Sequence, residues 1–328
     1  MKRRSGKNGF LLLCFLCIVL AILVVLFALF DRVFTSSDAH GGNDIGSGAE
    51  ILYYNSIPYI QKDTLETVLF IGLDANGTVA SQTEAHLADF LMLAVIDHAE
   101  KTVQFLHLNR DTMAYIDALN DADAPSAALY TQLARGHIFG STETVRSHNT
   151  VRAAERLLYD IDIQHYVTMT MDAIVKINDA VGGISLPLLA DFTHIDPSYT
   201  EGASVTLQGD FALTYIRARS EMEDKTNLAR MERQKQYMEQ LLSVYLRQLT
   251  ADGLQQSVTA AEAAPYLHTD YTVHQLIRLG DKIRSYTFEG AQSVAGEAVR
   301  GEEFMEFYVD ETALQETVLS LFYTPYDG

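Results

Sequence analysis

The alternation of strand-like and helix-like hydrophobic patterns predicts an α/β or α+β sandwich, with helices covering a mixed sheet and one transmembrane helix in front. Two observations carry this expectation. Short apolar runs stand at residues 67–73, 90–96 and 102–108, followed by segments of helical period, and one unbroken apolar run fills residues 10–30.

Taken in chain order, the run at 10–30 is long enough as a helix, at ~1.5 Å per residue, to cross a hydrocarbon core of roughly 30 Å. Lys2, Arg3, Arg4 and Lys7 precede it, whereas Asp31, Asp38, Asp44 and Glu50 follow with only Arg32 against them. The positive-inside bias therefore keeps the N-terminus in the cytoplasm and puts the rest of the chain outside the membrane. A cleaved signal has a shorter apolar core, about 7–15 residues, with its small-residue site directly behind. Ser37 and Ala39 lie well past the run, so a retained anchor is expected, and either reading exports the domain. The division predicted is a cytoplasmic N-terminus at 1–9, an anchor at 10–31, a Gly/Ser-rich linker at 32–50, a main domain at 51–250 and a small C-terminal extension at 251–328.

Both cysteines, Cys14 and Cys17, fall in the anchor, so the exported part is held by its core and not by disulfides. A formal charge of -19 argues against nucleic acid as a partner, because phosphate backbones require an excess of Lys and Arg. The three short runs read as core strands, the last two joined by the polar turn Asp97-His98-Ala99-Glu100-Lys101. Helical spacing follows at 127–139 and 143–158, then a strand at 165–171, a helix ending at Gly182-Gly183, and a strand at 184–189. Helices are predicted again at 209–219 and 227–249, the latter with Leu228, Met231, Met238, Leu241, Leu242, Tyr245 and Leu249 as its apolar stripe. Beyond 251 the pattern suggests a helix, a strand and a helix.

No zinc-ligand spacing, glycine-rich phosphate loop or G-x-S-x-G elbow occurs, which removes support from metalloprotease and serine hydrolase chemistry. Charged residues stand instead at strand ends: Asp74 after the first run, Asp89 before the second, and Arg110-Asp111 after the third. A second group comprises Arg217, Arg219, Arg230 and Arg233, four arginines within seventeen residues of a strongly acidic chain. On a helix Asn227, Arg230 and Gln234 share one face with Arg233 beside it. Such a group is either a solvated basic face or an anion site, and the planar guanidinium fork suits phosphate.

The ordered segments Ile71-Gly72-Leu73-Asp74, Ala88-Asp89-Phe90-Leu91-Met92-Leu93, Asn109-Arg110-Asp111-Thr112-Met113, Asp179-Ala180-Val181-Gly182-Gly183-Ile184, Tyr215-Ile216-Arg217-Ala218-Arg219 and Arg230-Met231-Glu232-Arg233-Gln234 resemble the signature of the LytR-CpsA-Psr family. The resemblance covers about residues 66–248. It implies an α/β/α sandwich that holds a polyprenyl pyrophosphate lipid and transfers its glycopolymer, of teichoic-acid or capsule type, to peptidoglycan as a phosphodiester. It further implies a Mg2+ site at Asp74 and Asp89, and a catalytic, pyrophosphate-holding set of Arg110, Arg217, Arg219 and Arg230 with Gln234 and Arg233 nearby. Asp111 would orient Arg110.

Two departures from the family pattern stand out. The family usually has an aspartate where this chain has Asn227, and Ser-Ile-Pro before the Arg-Asp pair, where this chain has Leu108-Asn109 as its nearest residues. Asn227 is expected to accept a hydrogen bond from Arg230 or Arg217 in place of the carboxylate. Two rival readings keep the same residues: a binding or regulatory module for polyprenyl-phosphate lipids or anionic wall polymers, and a hydrolase of the pyrophosphate lipid.

The topology expectation is tested by adding protease to wall-stripped intact cells. Digestion of residues 51–328 with survival of a short membrane fragment is the expected result, and protection of that segment would reverse the orientation.

Overall fold

The computed structural model describes residues 51–82, 84–218, 227–251 and 263–326. The expected anchor and linker, and Arg219, lie outside the described residues. Among those described, no helix is long and apolar enough to cross a membrane.

The elements begin with the strands β1 (Ile51–Tyr54), β2 (Ile57–Gln61), β3 (Leu65–Leu73), β4 (Ala88–Asp97), β5 (Thr102–Leu108), β6 (Met113–Leu119) and β7 (Pro125–Gln132). They continue with α1 (Glu143–Leu157), β8 (His165–Met169), α2 (Met171–Ala180), β9 (Ile184–Pro187), β10 (Ser204–Leu207), α3 (Gly209–Arg217) and α4 (Asn227–Ala251). The last are β11 (Leu267–Thr269), α5 (Val273–Ile283), β12 (Thr287–Ser293), β13 (Gly296–Arg300), β14 (Met305–Val309), α6 (Glu311–Phe322) and β15 (Tyr323–Pro325).

Six strands form the central sheet in the order β11-β8-β3-β4-β5-β12. It is mixed, because β3, β4 and β5 run antiparallel to their neighbours in that series while β8 is parallel to β3 and β12 is parallel to β5. Successive side chains of a strand point to opposite faces. Leu69, Ile71, Leu93 and Leu106 therefore enter one core with Val151 and Ala154 of α1 and Leu314, Val318 and Phe322 of α6. Val68, Met92, Ala94 and Phe105 enter the other, beside Met238 and Leu242 of α4 and Leu279 and Ile283 of α5. Burial of both faces is why β3, β4 and β5 show near-continuous apolar runs instead of alternation. A third cluster joins α2, the β9–β10 pair, α3 and α4 through Ile174, Ile184, Leu207, Tyr215 and Tyr237.

Several expectations change here. The segment read as a helix over 127–139 is the strand β7 followed by a short 3-10 turn at Leu133–Ile138. It pairs antiparallel with β6, with Tyr115 opposite Tyr130, and this tertiary pairing overrides the helical spacing of Ala127, Ala128 and Leu129. Leu228, placed in the buried stripe of α4, is 40% exposed. The stretch beyond 251 is no separate extension: β11 and β12 are the two edge strands of the central sheet, α6 fills its core, and β15 pairs with β2.

This integration makes Phe322, 1% exposed, a core residue of the main fold. Phe322→Ala is expected to lower the unfolding free energy of the purified chain by about 3–5 kcal/mol. A loss below about 1 kcal/mol in denaturant melts would return the C-terminal segment to the status of an appendage.

Candidate functional site

The site forms where β3 and β4 end. Their register pairs Gly72 with Phe90 but Leu73 with Ala88, which leaves Asp89 as an extra residue in a β-bulge. A bulge re-aims side chains: Ala88 points into the sheet core, while Asp89 and Phe90 both line a cleft. Gly72 lets the strands meet, because a Cβ there would stand 2.9 Å from that of Phe90.

The turn between β5 and β6 supplies Arg110. Thr112 donates its N–H to the Asn109 carbonyl (3.0 Å) and Asp111 donates its N–H to Asn109 Oδ1 (3.0 Å), so Asn109 shapes the turn with both its backbone and its side chain. Arg110 is buried, donates from Nη1 to Asp89 Oδ1, and has Nε 3.3 Å from Asp111 Oδ1. Asp111 also accepts from Gln132 Nε2 (2.7 Å).

The first turns of α4 bring the remaining groups. Arg230 Nη1 lies 3.5 Å from Asp89 Oδ2, so Asp89 sits between two buried guanidiniums. Gln234 lines the cleft and donates to the Ile216 carbonyl (3.3 Å). Arg217, at the end of α3, is half-exposed and donates to Asp74 Oδ1 (2.5 Å).

Arg233 does not belong to this set. It is 2% exposed and donates from Nε to the Tyr215 carbonyl (2.9 Å) and from Nη2 to the Ala218 carbonyl. These are carbonyls at the C-terminus of α3, which lack partners within the helix and face the negative end of its dipole. Arg233 thus fixes the segment that carries Arg217, and its expected contact with substrate is replaced by a capping role.

Asn227 also differs from expectation. Its Nδ2 donates to Asn109 Oδ1 (2.7 Å), and its Oδ1 is buried with no hydrogen-bond partner among the described residues. Neither Arg217 nor Arg230 is the observed partner. The two departures from the family pattern therefore touch each other, and together they clamp the start of α4 to the turn that bears Arg110.

The cleft encloses about 520 Å³, counting the part open to solvent. Its walls are mostly apolar, with Phe90, Met169, Met171, Ile174, Ile216 and Met238, while Asp89, Arg217, Arg230 and Gln234 give it one polar end. His107 of β5 lies under this end, packed on Phe90 at 5.2 Å between ring centroids. Burial, then the charges of Arg230 and Lys235, push its pKa down to about 3, so the imidazole stays neutral and adds no cation. Neither His107 nor the apolar walls had a signal beyond ordinary strand and helix hydrophobicity.

Among the described residues no group of three or more His, Cys, Asp or Glu side chains could hold a metal. Asp74 and Asp89 supply two hard carboxylates from adjacent strand ends, each already facing arginine. This donor set fits Mg2+ bound together with phosphate oxygens and water, and not Mg2+ held by protein alone. Among the described residues three guanidiniums, of Arg110, Arg217 and Arg230, face three carboxylates, of Asp74, Asp89 and Asp111, with Arg110 and Asp89 each shared between two partners.

The LytR_cpsA_psr family model matches residues 36–319. The chain is 27% identical over 176 residues to the polyisoprenyl-teichoic acid–peptidoglycan teichoic acid transferase TagU of Halalkalibacterium halodurans, covering 54% of this chain and 52% of that protein. It is 24% identical over 254 residues to the Enterococcus faecalis protein of the same name, covering 77% and 76%. The match thus spans about half the length of the first of these curated relatives. The fold is similar to that of TagT bound to LIIa-WTA, with a TM-score of 0.60, 20% identity, and 79% of this chain and 90% of that one covered.

The amide clamp makes a directional prediction. Asn227→Asp turns a donor into an acceptor facing Asn109 Oδ1, which already accepts from Asp111 N–H, and should cost about 1–3 kcal/mol of stability. Asn109→Asp keeps an acceptor at that point and should cost less. Denaturant melts that rank the two variants the other way round would dissolve the clamp.

Proposed function

This chain belongs to the LytR-CpsA-Psr family, and from that membership we propose that it is an extracytoplasmic phosphotransferase. It takes a glycopolymer, of teichoic-acid or capsule type, from a polyprenyl pyrophosphate carrier and joins it to peptidoglycan. The observation that carries this reading is a single cleft with apolar walls and an arginine-rich end. A polyprenyl chain gains about 0.8 kcal/mol for each methylene it buries, and the pyrophosphate then meets Arg217 and Arg230 beside Arg110. The predicted anchor at 10–30 would hold the cleft near the bilayer that supplies this lipid.

In the proposed reaction an acceptor hydroxyl attacks the phosphorus that carries the polymer. The new O–P bond forms as the bond to the bridging pyrophosphate oxygen breaks, polyprenyl phosphate leaves, and the hydroxyl proton ends on that leaving group. The transition state spreads negative charge over nonbridging oxygens, and guanidiniums placed beforehand stabilise it without reorganisation. Asp89 holds Arg110 and Arg230 in position, and Asp111 braces Arg110 from the other side.

Magnesium dependence is part of the proposal. The three arginines are balanced by three carboxylates, so an incoming pyrophosphate brings charge that the protein does not offset. A Mg2+ held by Asp74 and Asp89 would supply that positive charge when bound.

The test uses purified chain, lipid-linked polymer, peptidoglycan and Mg2+. A wall conjugate supports the transferase reading, free phosphorylated polymer would identify a hydrolase, and binding without product would identify a regulatory module. Arg217→Ala removes a half-exposed group, so the fold should survive while turnover drops about ten- to a hundredfold, the worth of one charge-assisted hydrogen bond. Asp74→Ala should bring Mg2+-dependent transfer near background. Wild-type rates in both variants would move Asp74 and Arg217 out of the site.

A further inference from the structure

A second, smaller cleft lies on the other side of Arg110. Asn109, Asp111 and Asn227 line one wall, and Met305, Glu306 and Phe307 of β14 line the other. The Arg110 side chain links residues of the two clefts, for it pairs with Asp89 of the first and Asp111 of the second. The strand β14 is pinned at this wall. Phe307 donates its N–H to the Asp111 carbonyl (2.9 Å), and the buried Gln132 amide donates both to Asp111 Oδ1 (2.7 Å) and to the Met305 carbonyl (2.8 Å).

From this cleft a tyrosine face runs outward. Tyr115 and Tyr130 are directly opposite on β6 and β7 with ring centroids 5.0 Å apart, and they are 60% and 51% exposed. Tyr308 of β14, 41% exposed, donates its hydroxyl to Glu306 Oε2 (2.6 Å). The phenol of Tyr130 is pushed above its usual range by burial and by the charges of Tyr115 and Glu306. That of Tyr308 is held up by its hydrogen bond to Glu306, then by burial and by the charges of Glu306 and Tyr130. These influences place Tyr115, Tyr130 and Tyr308 beside Glu306, and the raised phenols of Tyr130 and Tyr308 stay neutral.

We propose that Tyr115, Tyr130 and Tyr308, with Glu306 at the mouth of the second cleft, bind the uncharged sugar chain of the acceptor and present its hydroxyl beside Arg110. The inference rests on the transferase reading and assigns the acceptor side of the same site. A polymer on a lipid pyrophosphate would fill the first cleft, so the acceptor must reach the phosphorus from another side, and Asp111 of the second cleft pairs with the same arginine. A pyranose offers a face of C–H groups and a rim of hydroxyls. Exposed aromatic rings stack on the face, while a carboxylate and phenol hydroxyls bond the rim. Three such rings in the open are unusual unless something covers them.

Charge selects a neutral occupant over the anionic donor polymer. Glu302 and Glu303 stand in the β13–β14 turn and Glu306 follows on β14, bonded to Tyr308, and a phosphate-rich chain would be repelled by these carboxylates.

The experiment measures binding of a chitin oligosaccharide to the full chain in detergent by titration calorimetry, without donor lipid or turnover. The wild type should bind, and Tyr115→Ala/Tyr130→Ala should weaken binding by roughly tenfold or more. In transfer assays the same variant should raise KM for peptidoglycan and leave kcat and donor-lipid binding unchanged. Glu306→Gln should weaken oligosaccharide binding and keep its salt independence. No oligosaccharide binding by the wild type, equal binding by the double variant, or preferential binding of a poly(glycerol phosphate) chain would overturn the proposal. Because the binding arm needs no catalysis, absence of transfer with oligosaccharide binding intact would count against the transferase reading and not against this surface.

Discussion

Asp89 between Arg110 and Arg230 is the contact on which the arrangement of this molecule turns. Moving an ion out of water costs several kcal/mol even after relaxation, and the cost is offset only when partners are close and well oriented. Both guanidiniums are buried and the Asp89 carboxylate is largely covered, and each group comes from a different element: the bulge of β4, the turn after β5, and the first turns of α4. None of these elements can shift without leaving a buried charge uncompensated. The triad therefore sets the position of α4 over the sheet end, and through α4 it sets the cleft.

The rest of the site follows from that placement. With α4 fixed, Arg233 and Gln234 reach the last carbonyls of α3 and hold the segment that carries Arg217. At the other end of the same face, Asn227 reaches Asn109 and ties α4 to the turn bearing Arg110. A carboxylate at 227 could not donate to Asn109 Oδ1, and Asn109 cannot readily turn its amide because Asp111 N–H uses that oxygen. The two asparagines thus form one device, in which the side chain at 227 must donate and that at 109 must accept.

How much of this was legible in the sequence depends on the range of the interactions. The strands β3, β4 and β5 were visible because both faces of the sheet are covered, and the face shared by Asn227, Arg230 and Gln234 was visible because helical spacing is local. The bulge at Asp89 was not visible, since it arises from register between two strands. Arg233 looked like its neighbours in sequence and is distinguished only by the helix end it meets. The strand β7 was misread because its alanines and leucine carry a helical rhythm, while its partner β6 was missed altogether. Beyond 251, short strands at the edges of the sheet gave no periodic signal, although they complete it.

Charge balance ties the two clefts into one mechanism. Among the described residues three guanidiniums stand against three carboxylates, so these groups balance in a chain whose formal charge is -19. Under the proposed function, a pyrophosphate donor would bring charge that these pairs do not offset, and a Mg2+ ion bound with it would supply the balance. The acceptor meets the opposite condition. It approaches past Glu302, Glu303 and Glu306, which disfavour anions and are indifferent to a neutral sugar chain. In the proposed reaction such a site would separate the two substrates by charge: the anion would enter with its counter-ion from the apolar side, and the uncharged hydroxyl over tyrosines from the acidic side. Arg110, paired with Asp89 of one cleft and Asp111 of the other, is the side chain that links them.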